Sequence, residues 1–139
     1  MPAHVREITI SLPIADRRRA MHFYRTAFDF EPVGAPEEDG IPEPLTFRLD
    51  DRTLLALIPA AGLAGAIGRR PLAPSGVSEC LLGVTLTSDA EVDRLVERIA
   101  DSGGSILSAA AREDWGYTAL CADPDGHAWQ IFAEPAPTS

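Results

Sequence analysis

The sequence contains no lysine, because all twelve of its basic residues are arginines. A chain without lysine cannot form a Schiff base or supply the lysine of a phosphate-binding P-loop, so both chemistries are excluded. Its two cysteines, Cys80 and Cys121, are too few for a disulfide framework, which is typical of proteins in a reducing compartment. We therefore expect a cytoplasmic protein.

Positive charge is also scarce, since the twelve arginines face 21 acidic residues and the formal net charge is −9. Binding to a nucleic-acid backbone rests on clustered positive charge, so the sequence predicts no nucleic-acid partner. The uncharged stretch at residues 54–68 is shorter than a membrane span and is interrupted by Pro59. We expect no membrane partner and no targeting segment, and the acidic balance favours neutral or cationic ligands.

Two stretches of the sequence carry the same order of strand and helix signals. Residues 7–12 alternate apolar and polar side chains as in a half-buried strand, and Asp16 is placed to cap the helix that follows. The order returns at Leu82–Leu86, where a second strand pattern precedes a capping box that begins at Ser88. Between the first helix and the next strands, residues 32–44 are rich in proline and glycine, which predicts turns with room for one short strand.

The two stretches also keep a nearly constant spacing. Val84 follows Ile10 at the same separation at which Trp129 follows Leu55. The helix patterns, matched at Ala20 and Val92, are two positions closer together, which predicts that the loop between the first strand and its helix is longer than its counterpart. Three matched elements indicate a duplicated strand–helix–strands unit with pseudo-two-fold symmetry.

Several motifs in these repeats are similar to those of a known family. In the first half they are Leu12-Pro13-Ile14-Ala15-Asp16 and Phe23-Tyr24, and in the second half they are Ser102-Gly103-Gly104, Trp115-Gly116-Tyr117 and Asp123-Pro124-Asp125-Gly126-His127-Ala128-Trp129. The pattern resembles the vicinal-oxygen-chelate superfamily, which contains glyoxalase I, extradiol dioxygenases and bleomycin-resistance proteins. The resemblance covers nearly the whole chain, and the stretch from Asp123 to Trp129 is its most specific part.

The resemblance implies an α+β fold in which two βαβββ modules form curled mixed sheets around a cleft. It implies a single domain over residues 1–139, with the first module at 5–58, a connector at 59–78 and the second module at 79–134. It also implies a homodimer, because members of the family commonly complete or bury their clefts across a dimer interface.

Enzymes of this family hold a divalent metal ion through residues on the first and last strand of each module. The resemblance places these positions at Thr9, Ala56, Gly83 and Gln130. Glycine and alanine offer no ligand atom, threonine is a poor neutral ligand, and an amide lacks the charge of a carboxylate. A divalent ion needs several good donors to offset its dehydration, so we expect no metal ion and no other cofactor.

Other ionisable residues keep a metal site open as an alternative. Glu7 and Glu79 share strand parity with the inherited positions, although both also fit solvated strand ends. His4, His22 and His127 do not converge in the sequence and fit exposed or locally hydrogen-bonded positions. The sequence leaves open whether one of these side chains replaces the missing ligands.

Alternation along the strands predicts which side chains line the cleft. We expect an apolar lining with a few hydroxyl groups and one amide, and with no central general base. The six predicted ligand-binding residues are Thr9, Phe47, Ala56, Trp115, Tyr117 and Gln130. Trp115 equally fits a structural tryptophan that packs over the junction of the modules.

These features favour metal-independent binding of a small molecule. By resemblance to bleomycin-resistance proteins, the chain would sequester a hydrophobic or cationic drug or metabolite. The sequence leaves open whether it is an enzyme. A glyoxalase-like lyase or isomerase, or a dioxygenase, would need nickel, zinc or iron on ligands outside the inherited positions, and a metal-free enzyme would act by positioning a reactive substrate.

Overall fold

The computed structural model describes residues 4–135, in which strands and helices form two successive groups. In chain order the elements are β1 (Ile8–Ile14), α1 (Arg17–Phe28), β2 (Leu45–Asp50), β3 (Thr53–Pro59), α2 (Ala60–Ala66), β4 (Leu82–Leu86), α3 (Asp89–Asp101), β5 (Ser105–Glu113), β6 (Gly116–Ala122) and β7 (Ala128–Ala133). A strand, a long helix and further strands therefore follow one another twice, as the sequence predicts.

The two long helices begin at side chains that cap their free backbone N–H groups. The Asp16 carboxylate accepts hydrogen bonds from the backbone N–H groups of Arg18 (2.8 Å) and Arg19 (3.2 Å) at the start of α1. Ser88 Oγ accepts one from the backbone N–H of Glu91 at 3.2 Å at the start of α3. Each cap satisfies donors that the first turn of a helix cannot pair internally, so the local sequence fixes where both helices begin.

The strand-to-helix connections of the two groups have equal lengths. β1 ends at Ile14 and α1 begins at Arg17, while β4 ends at Leu86 and α3 begins at Asp89. The prediction of a longer first loop is therefore wrong.

The repeat spacing changes later in the chain. Ser11 pairs with Ala56 in the first group and Gly83 pairs with Gln130 in the second, and the second pair is two positions farther apart in the sequence than the first. The additional residues of the second group therefore lie between the start of α3 and β7.

The described residues group into two compact units. The first comprises residues 4–25 and 29–72, and the second comprises residues 26–28 and 73–135. In the first unit the sheet has the order β1-β3-β2, with β1 parallel to β3 and β2 antiparallel to it. In the second unit the order is β4-β7-β6-β5, with β4 parallel to β7 and the other pairs antiparallel. Two mixed sheets combined with helices confirm the predicted α+β fold class.

The first sheet has three strands where the second has four. Residues 29–44, all of which the structure describes, form only isolated bridges, one from Pro32 to Phe47 and one from Pro36 to Pro42. Proline has no backbone N–H to donate, so a segment with this many prolines cannot sustain a ladder of strand hydrogen bonds. The second unit has the complete βαβββ order, and the first lacks one strand of it.

Each unit has an apolar core between its sheet and its helix. In the first unit, the rings of Tyr24 on α1 and Phe47 on β2 lie 5.7 Å apart and both side chains are fully buried. In the second unit, α3 buries an apolar stripe toward its sheet, formed by Val92, Leu95, Val96 and Ile99. The helices therefore cover one face of each sheet.

The second unit takes in the last turn of α1 and the end of the connector. The ring of Phe28 lies 4.6 Å from that of Trp129, and Arg98 Nε donates to the carbonyl of Ala27 at 3.0 Å. Farther along the chain, Ser75 Oγ donates to the carbonyl of Asp125 at 2.8 Å. The chain that builds this unit is thus discontinuous in sequence.

The turn between β6 and β7 is held by one carboxylate. Asp123 Oδ1 accepts hydrogen bonds from the backbone N–H groups of Asp125 (3.0 Å) and His127 (2.8 Å), and the Asp123 side chain is buried. An aspartate that bonds to the backbone two residues on is a common way to close a turn. The turn fixes how β7 returns alongside β6.

No helix in residues 4–135 combines the length and the apolar character that crossing a lipid bilayer requires.

Candidate functional site

Each sheet has one face packed on its helix and an opposite face, which we call the distal face. Strand register assigns side chains to these faces, because residues directly opposite each other on paired strands point to the same side. The distal face of the first sheet carries Thr9, Ser11, Thr46, Arg48, Leu54 and Ala56. The distal face of the second sheet carries Gly83, Thr85, Thr118, Leu120, Gln130 and Phe132.

Phe47 lies on the helix side of the first sheet and not on its distal face. It pairs with Leu55 on β3, and its fully buried ring packs at 5.7 Å from Tyr24 and 6.2 Å from Phe30. The prediction that alternation places Phe47 on the face opposite the helix is therefore wrong. β2 has the predicted alternation, but the face that carries Phe47 packs against α1 instead of facing away from it.

Tyr117 also lies on the helix side, in the second sheet. Its hydroxyl donates to Asp93 Oδ1 on α3 at 2.7 Å, and the Arg112 guanidinium lies 5.3 Å from its ring centroid. The hydrogen bond to Asp93, followed by partial desolvation and the charges of Asp93 and Asp89, raises the pKa of Tyr117 above 10.0. Tyr117 is thus a surface contact of α3, and the prediction that it lies on the face opposite the helix is wrong.

Thr9 and Ala56 lie on the distal face of the first sheet, but not opposite each other. Thr9 pairs with Leu54, and Ala56 pairs with Ser11. In the second sheet, Gly83 pairs with Gln130. The first strand and the first helix of the two units are separated in sequence by the same number of residues. By this separation the counterpart of Gly83 is Ser11. The predicted equivalence of Gly83 with Thr9 is therefore wrong by two positions.

The side chains at these positions do not fit a divalent metal ion. The rows that contain Thr9, Ser11 and Gly83 carry hydroxyl, apolar and amide groups and the guanidinium of Arg48, but no carboxylate or imidazole. Within residues 4–135, no group of three or more His, Cys, Asp or Glu side chains is placed to hold an ion. A divalent ion in proteins is held by several such donors, so no step of a reaction is assigned to a metal here.

The side chains predicted as alternative ligands form no group of three or more that could hold a metal ion in residues 4–135. Glu7 Oε2 accepts a hydrogen bond from Arg48 Nη2 at 3.0 Å, so this carboxylate is already paired with a cation. Glu79 is exposed before β4. The histidines occupy separate places: His4 is exposed before β1, His22 is exposed on α1, and His127 is half-buried after the turn that precedes β7.

An aromatic pair marks one end of the distal face of the second sheet. The rings of Trp115 and Phe132 lie 5.7 Å apart with their planes inclined by 32°. Trp115 is in the turn between β5 and β6 and remains 52% exposed, while Phe132 on β7 is half-buried. This pair offers a flat apolar surface that is accessible from solvent.

Two polar groups on the same face have no hydrogen-bond partner in the described residues. Thr118 Oγ1 is buried and has none. The carboxamide of Gln130, which is half-buried, receives and donates no side-chain hydrogen bond within residues 4–135. Leaving a buried hydroxyl unpaired costs about 1–3 kcal/mol, and native proteins rarely accept this without a water molecule or ligand nearby.

The structure thus brings Trp115 and Gln130 onto one surface and adds Thr118 and Phe132, which the predicted set of six omits. Phe132 shares strand parity with Gln130, so the alternation of β7 contains the signal for it. Thr118 has no comparable signal, because the face of β6 depends on its register with β7. Trp115, Thr118, Gln130 and Phe132 are the candidate site.

One family model matches most of the sequence. The model described as Glyoxalase/Bleomycin resistance protein/Dioxygenase superfamily matches residues 3–131. A search of curated proteins found no match.

Solved structures with the same fold cover nearly the whole chain. A glyoxalase-related enzyme from Fulvimarina pelagi is 28% identical, with a TM-score of 0.79 over 94% of this chain and 90% of that one. A glyoxalase/bleomycin resistance protein/dioxygenase family enzyme from Burkholderia phytofirmans PsJN is 15% identical, with a TM-score of 0.72 over 96% and 100% of the two chains. TnmS3, an antibiotic binding protein from Streptomyces sp. CB03234, is 21% identical, with a TM-score of 0.61 over 96% and 98%. At these identities the last two show likeness of fold alone.

Proposed function

Because the chain belongs to the glyoxalase/bleomycin resistance protein/dioxygenase superfamily, we propose that it binds a small molecule on the distal face of its second sheet without a metal ion. The observation that carries this proposal is the accessible aromatic pair of Trp115 and Phe132 on the same face as the half-buried carboxamide of Gln130. A small ligand would cover the aromatic rings and hydrogen-bond to the carboxamide of Gln130.

The proposed role is sequestration of a hydrophobic or cationic drug or metabolite. The solved structure of TnmS3, an antibiotic binding protein, supports such a role for a chain of this fold. The face carries no carboxylate or imidazole beside Gln130, so it offers no general base for turnover. Thr9 and Ala56, on the distal face of the first sheet, stay predicted ligand-binding residues.

Ligand screening by thermal shift, followed by calorimetry, tests the proposal. A ligand at 100 times its dissociation constant stabilises the folded protein by about 2.7 kcal/mol, which gives a clear shift of Tm. Trp115→Ala and Gln130→Leu are each expected to weaken binding about tenfold or more, since each removes one contact of the site. Leu107→Ala is the matched control, because Leu107 is exposed on β5 and outside the site. Binding that survives both site variants would show that the ligand lies elsewhere.

A metal-dependent lyase, isomerase or dioxygenase is the second candidate. The observation in its favour is the 28% identity to a glyoxalase-related enzyme. Metal analysis of protein purified without chelator separates the candidates. Nickel, zinc or iron at one ion per chain would favour the enzyme, whereas a metal-free protein that binds the ligand with unchanged affinity in EDTA supports the first proposal.

The assembly and location of the protein belong to the same proposal. We expect a cytoplasmic homodimer, as members of this superfamily commonly complete their sites across a dimer interface. Light scattering after size-exclusion chromatography is expected to give about twice the chain mass of 14.9 kDa. A mass equal to that of one chain at micromolar concentration would contradict the dimer.

A further inference from the structure

We infer that the ligand of the second sheet is an uncharged aromatic lactam, a planar ring whose edge carries an N–H group beside a carbonyl. This inference rests on the proposed function and specifies the chemistry of the molecule bound there. It follows from three properties of the site: the type of polar group, its distance from the aromatic rings and the absence of charge around it.

The polar group at the centre of the site is a carboxamide. Gln130 presents an N–H donor and a carbonyl acceptor side by side, and neither is engaged by another side chain in residues 4–135. Opposite Gln130 on β4 stands Gly83, which is exposed and leaves the space of a side chain open beside the amide. A group that pairs with both atoms of a carboxamide in one plane carries an adjacent acceptor and donor, as the edge of a lactam does.

The aromatic surface lies one strand repeat from this amide. Phe132 and Gln130 are two residues apart on β7 and point to the same face, which separates their backbones by about 6.6 Å. The ring of Trp115 continues the surface beyond Phe132. A bicyclic ring that lies against Phe132 and extends along β7 can reach Gln130 with its edge.

The absence of charged side chains beside Gln130 disfavours an ion of either sign next to the amide. The distal-face neighbours of Gln130 are Gly83, Leu120 and Phe132, and all are uncharged. An ion placed among them would lose hydration without a counter-ion. Glu113 and Asp114 precede Trp115, so an anion would also be repelled at the aromatic end, and a cation would be drawn toward that end and away from Gln130.

Four bicyclic probes of nearly equal ring area test this inference. They are 2-quinolinone, its N-methyl derivative, the anion quinoline-2-carboxylate and the cation N-methylquinolinium. We expect 2-quinolinone to bind about tenfold more tightly than the N-methyl derivative, because methylation removes the N–H group that would donate a hydrogen bond to the carbonyl of Gln130. We expect the anion to bind most weakly. Binding is measured by calorimetry, and the side-chain amide resonances of Gln130 are followed by NMR.

Variants assign the preference to its residue. In Gln130→Leu the tenfold preference for 2-quinolinone is expected to disappear, whereas in Trp115→Ala all probes are expected to weaken by a similar factor. Leu107→Ala should leave both affinity and preference unchanged. Persistence of the preference in Gln130→Leu would overturn the inference.

The outcomes distinguish this inference from the proposed function. Equal affinity for 2-quinolinone and its N-methyl derivative, or tightest binding of N-methylquinolinium, would overturn the lactam while supporting a small-molecule site that depends on Trp115. Failure of all four probes while a different compound binds in a Trp115-dependent way has the same meaning. Binding of any ligand that neither site variant weakens would overturn both.

Discussion

The ring of Phe132 occupies the space that a side chain on Gly116 would fill. A β-carbon at position 116 would lie 2.7 Å from the carbonyl oxygen of Ala133 and would overlap the Phe132 ring itself. Gly116 also has a φ of 145°, which side chains other than that of glycine rarely adopt. The absence of a side chain here allows the aromatic pair of Trp115 and Phe132 to form at the edge of the site.

Gly116→Ala is therefore expected to lower the free energy of unfolding by about 1–3 kcal/mol, since it combines backbone strain with overlap against a packed ring. Urea unfolding followed by circular dichroism measures this change. Gly65→Ala is the control, because a β-carbon on Gly65 meets nothing within 4 Å and the residue lies in α2. An equal loss of stability in both variants would contradict the role given to Gly116.

Tyr117 is expected to titrate above its ordinary pKa of 10.0, because its hydroxyl donates to the Asp93 carboxylate. The raised pKa means that the stabilisation from this hydrogen bond is complete below about pH 10 and is lost as the pH rises through the pKa of the folded protein. Ultraviolet absorbance of the phenolate between pH 8 and pH 12, a range set around the ordinary value, follows the titration. In Asp93→Asn the pKa of Tyr117 should move back toward 10.0.

Tyr117→Phe also tests the face assigned to β6. The variant should bind the ligand with unchanged affinity, since the hydroxyl points to α3 and away from the candidate site. Loss of binding in Tyr117→Phe, with stability preserved, would restore the residue to the ligand site.

Arg17 anchors the loop that precedes β2. Its guanidinium contacts Asp39 Oδ2 at 2.8 Å and donates to the carbonyls of Ile41 (2.7 Å) and Pro42 (3.0 Å), with the side chain 16% exposed. Arg17→Ala is expected to lower the free energy of unfolding by about 2 kcal/mol. Arg18→Ala, which removes a single exposed bond to the Asp39 carbonyl, should change it by less than about 0.5 kcal/mol. Urea unfolding of the two variants decides whether the difference exists.

The same loop makes stability depend on pH at the acid end. The Ile41 N–H, which bonds to Asp39 Oδ1 at 3.0 Å, and then the Arg17 guanidinium hold the pKa of Asp39 below 3.8. A lowered carboxyl pKa contributes stability that is present above 3.8 and is lost as the pH falls through the pKa of the folded protein. The difference between wild type and Asp39→Asn should therefore shrink as the pH falls below 3.8.

The two cysteines should react differently with thiol reagents. Cys80 is exposed, whereas Cys121 is buried in the helix-side core of the second unit, where desolvation raises the pKa of its thiol. A disulfide reagent such as DTNB is expected to modify one thiol per chain in the folded protein and the second only in urea. Cys80→Ala should remove the fast reaction, and fast labelling that remains in this variant would contradict the burial of Cys121.

The sequence predicts correctly which side chains share a face on four of the strands, where apolar and polar residues alternate clearly. The faces of β1, β3, β4 and β7 follow the predicted parity, which places Thr9, Ala56, Gly83 and Gln130 on the distal faces. These strands pair in parallel or lie at the centre of a sheet.

The faces of β2 and β6 could not be obtained in the same way. Both are hairpin strands, and a slip of one residue in a hairpin turns every side chain to the other face. The β2–β3 pairing itself shifts register between Arg48 and Asp50, so the sequence of the turn does not determine which residues oppose each other. The predicted faces of Phe47 and Tyr117 are wrong for this reason, and the predicted set omits Thr118.

The contact of Phe28 with Trp129 bears on how the gene can be divided. A fragment that starts within the connector would carry all of the second sheet and yet lack Phe28, and the indole that this ring covers in the intact chain would face water. Dividing the coding sequence within the connector thus separates Phe28, which belongs to the core of the second unit, from the rest of that unit. An insertion that leaves α1 on the same polypeptide as β7 avoids that loss.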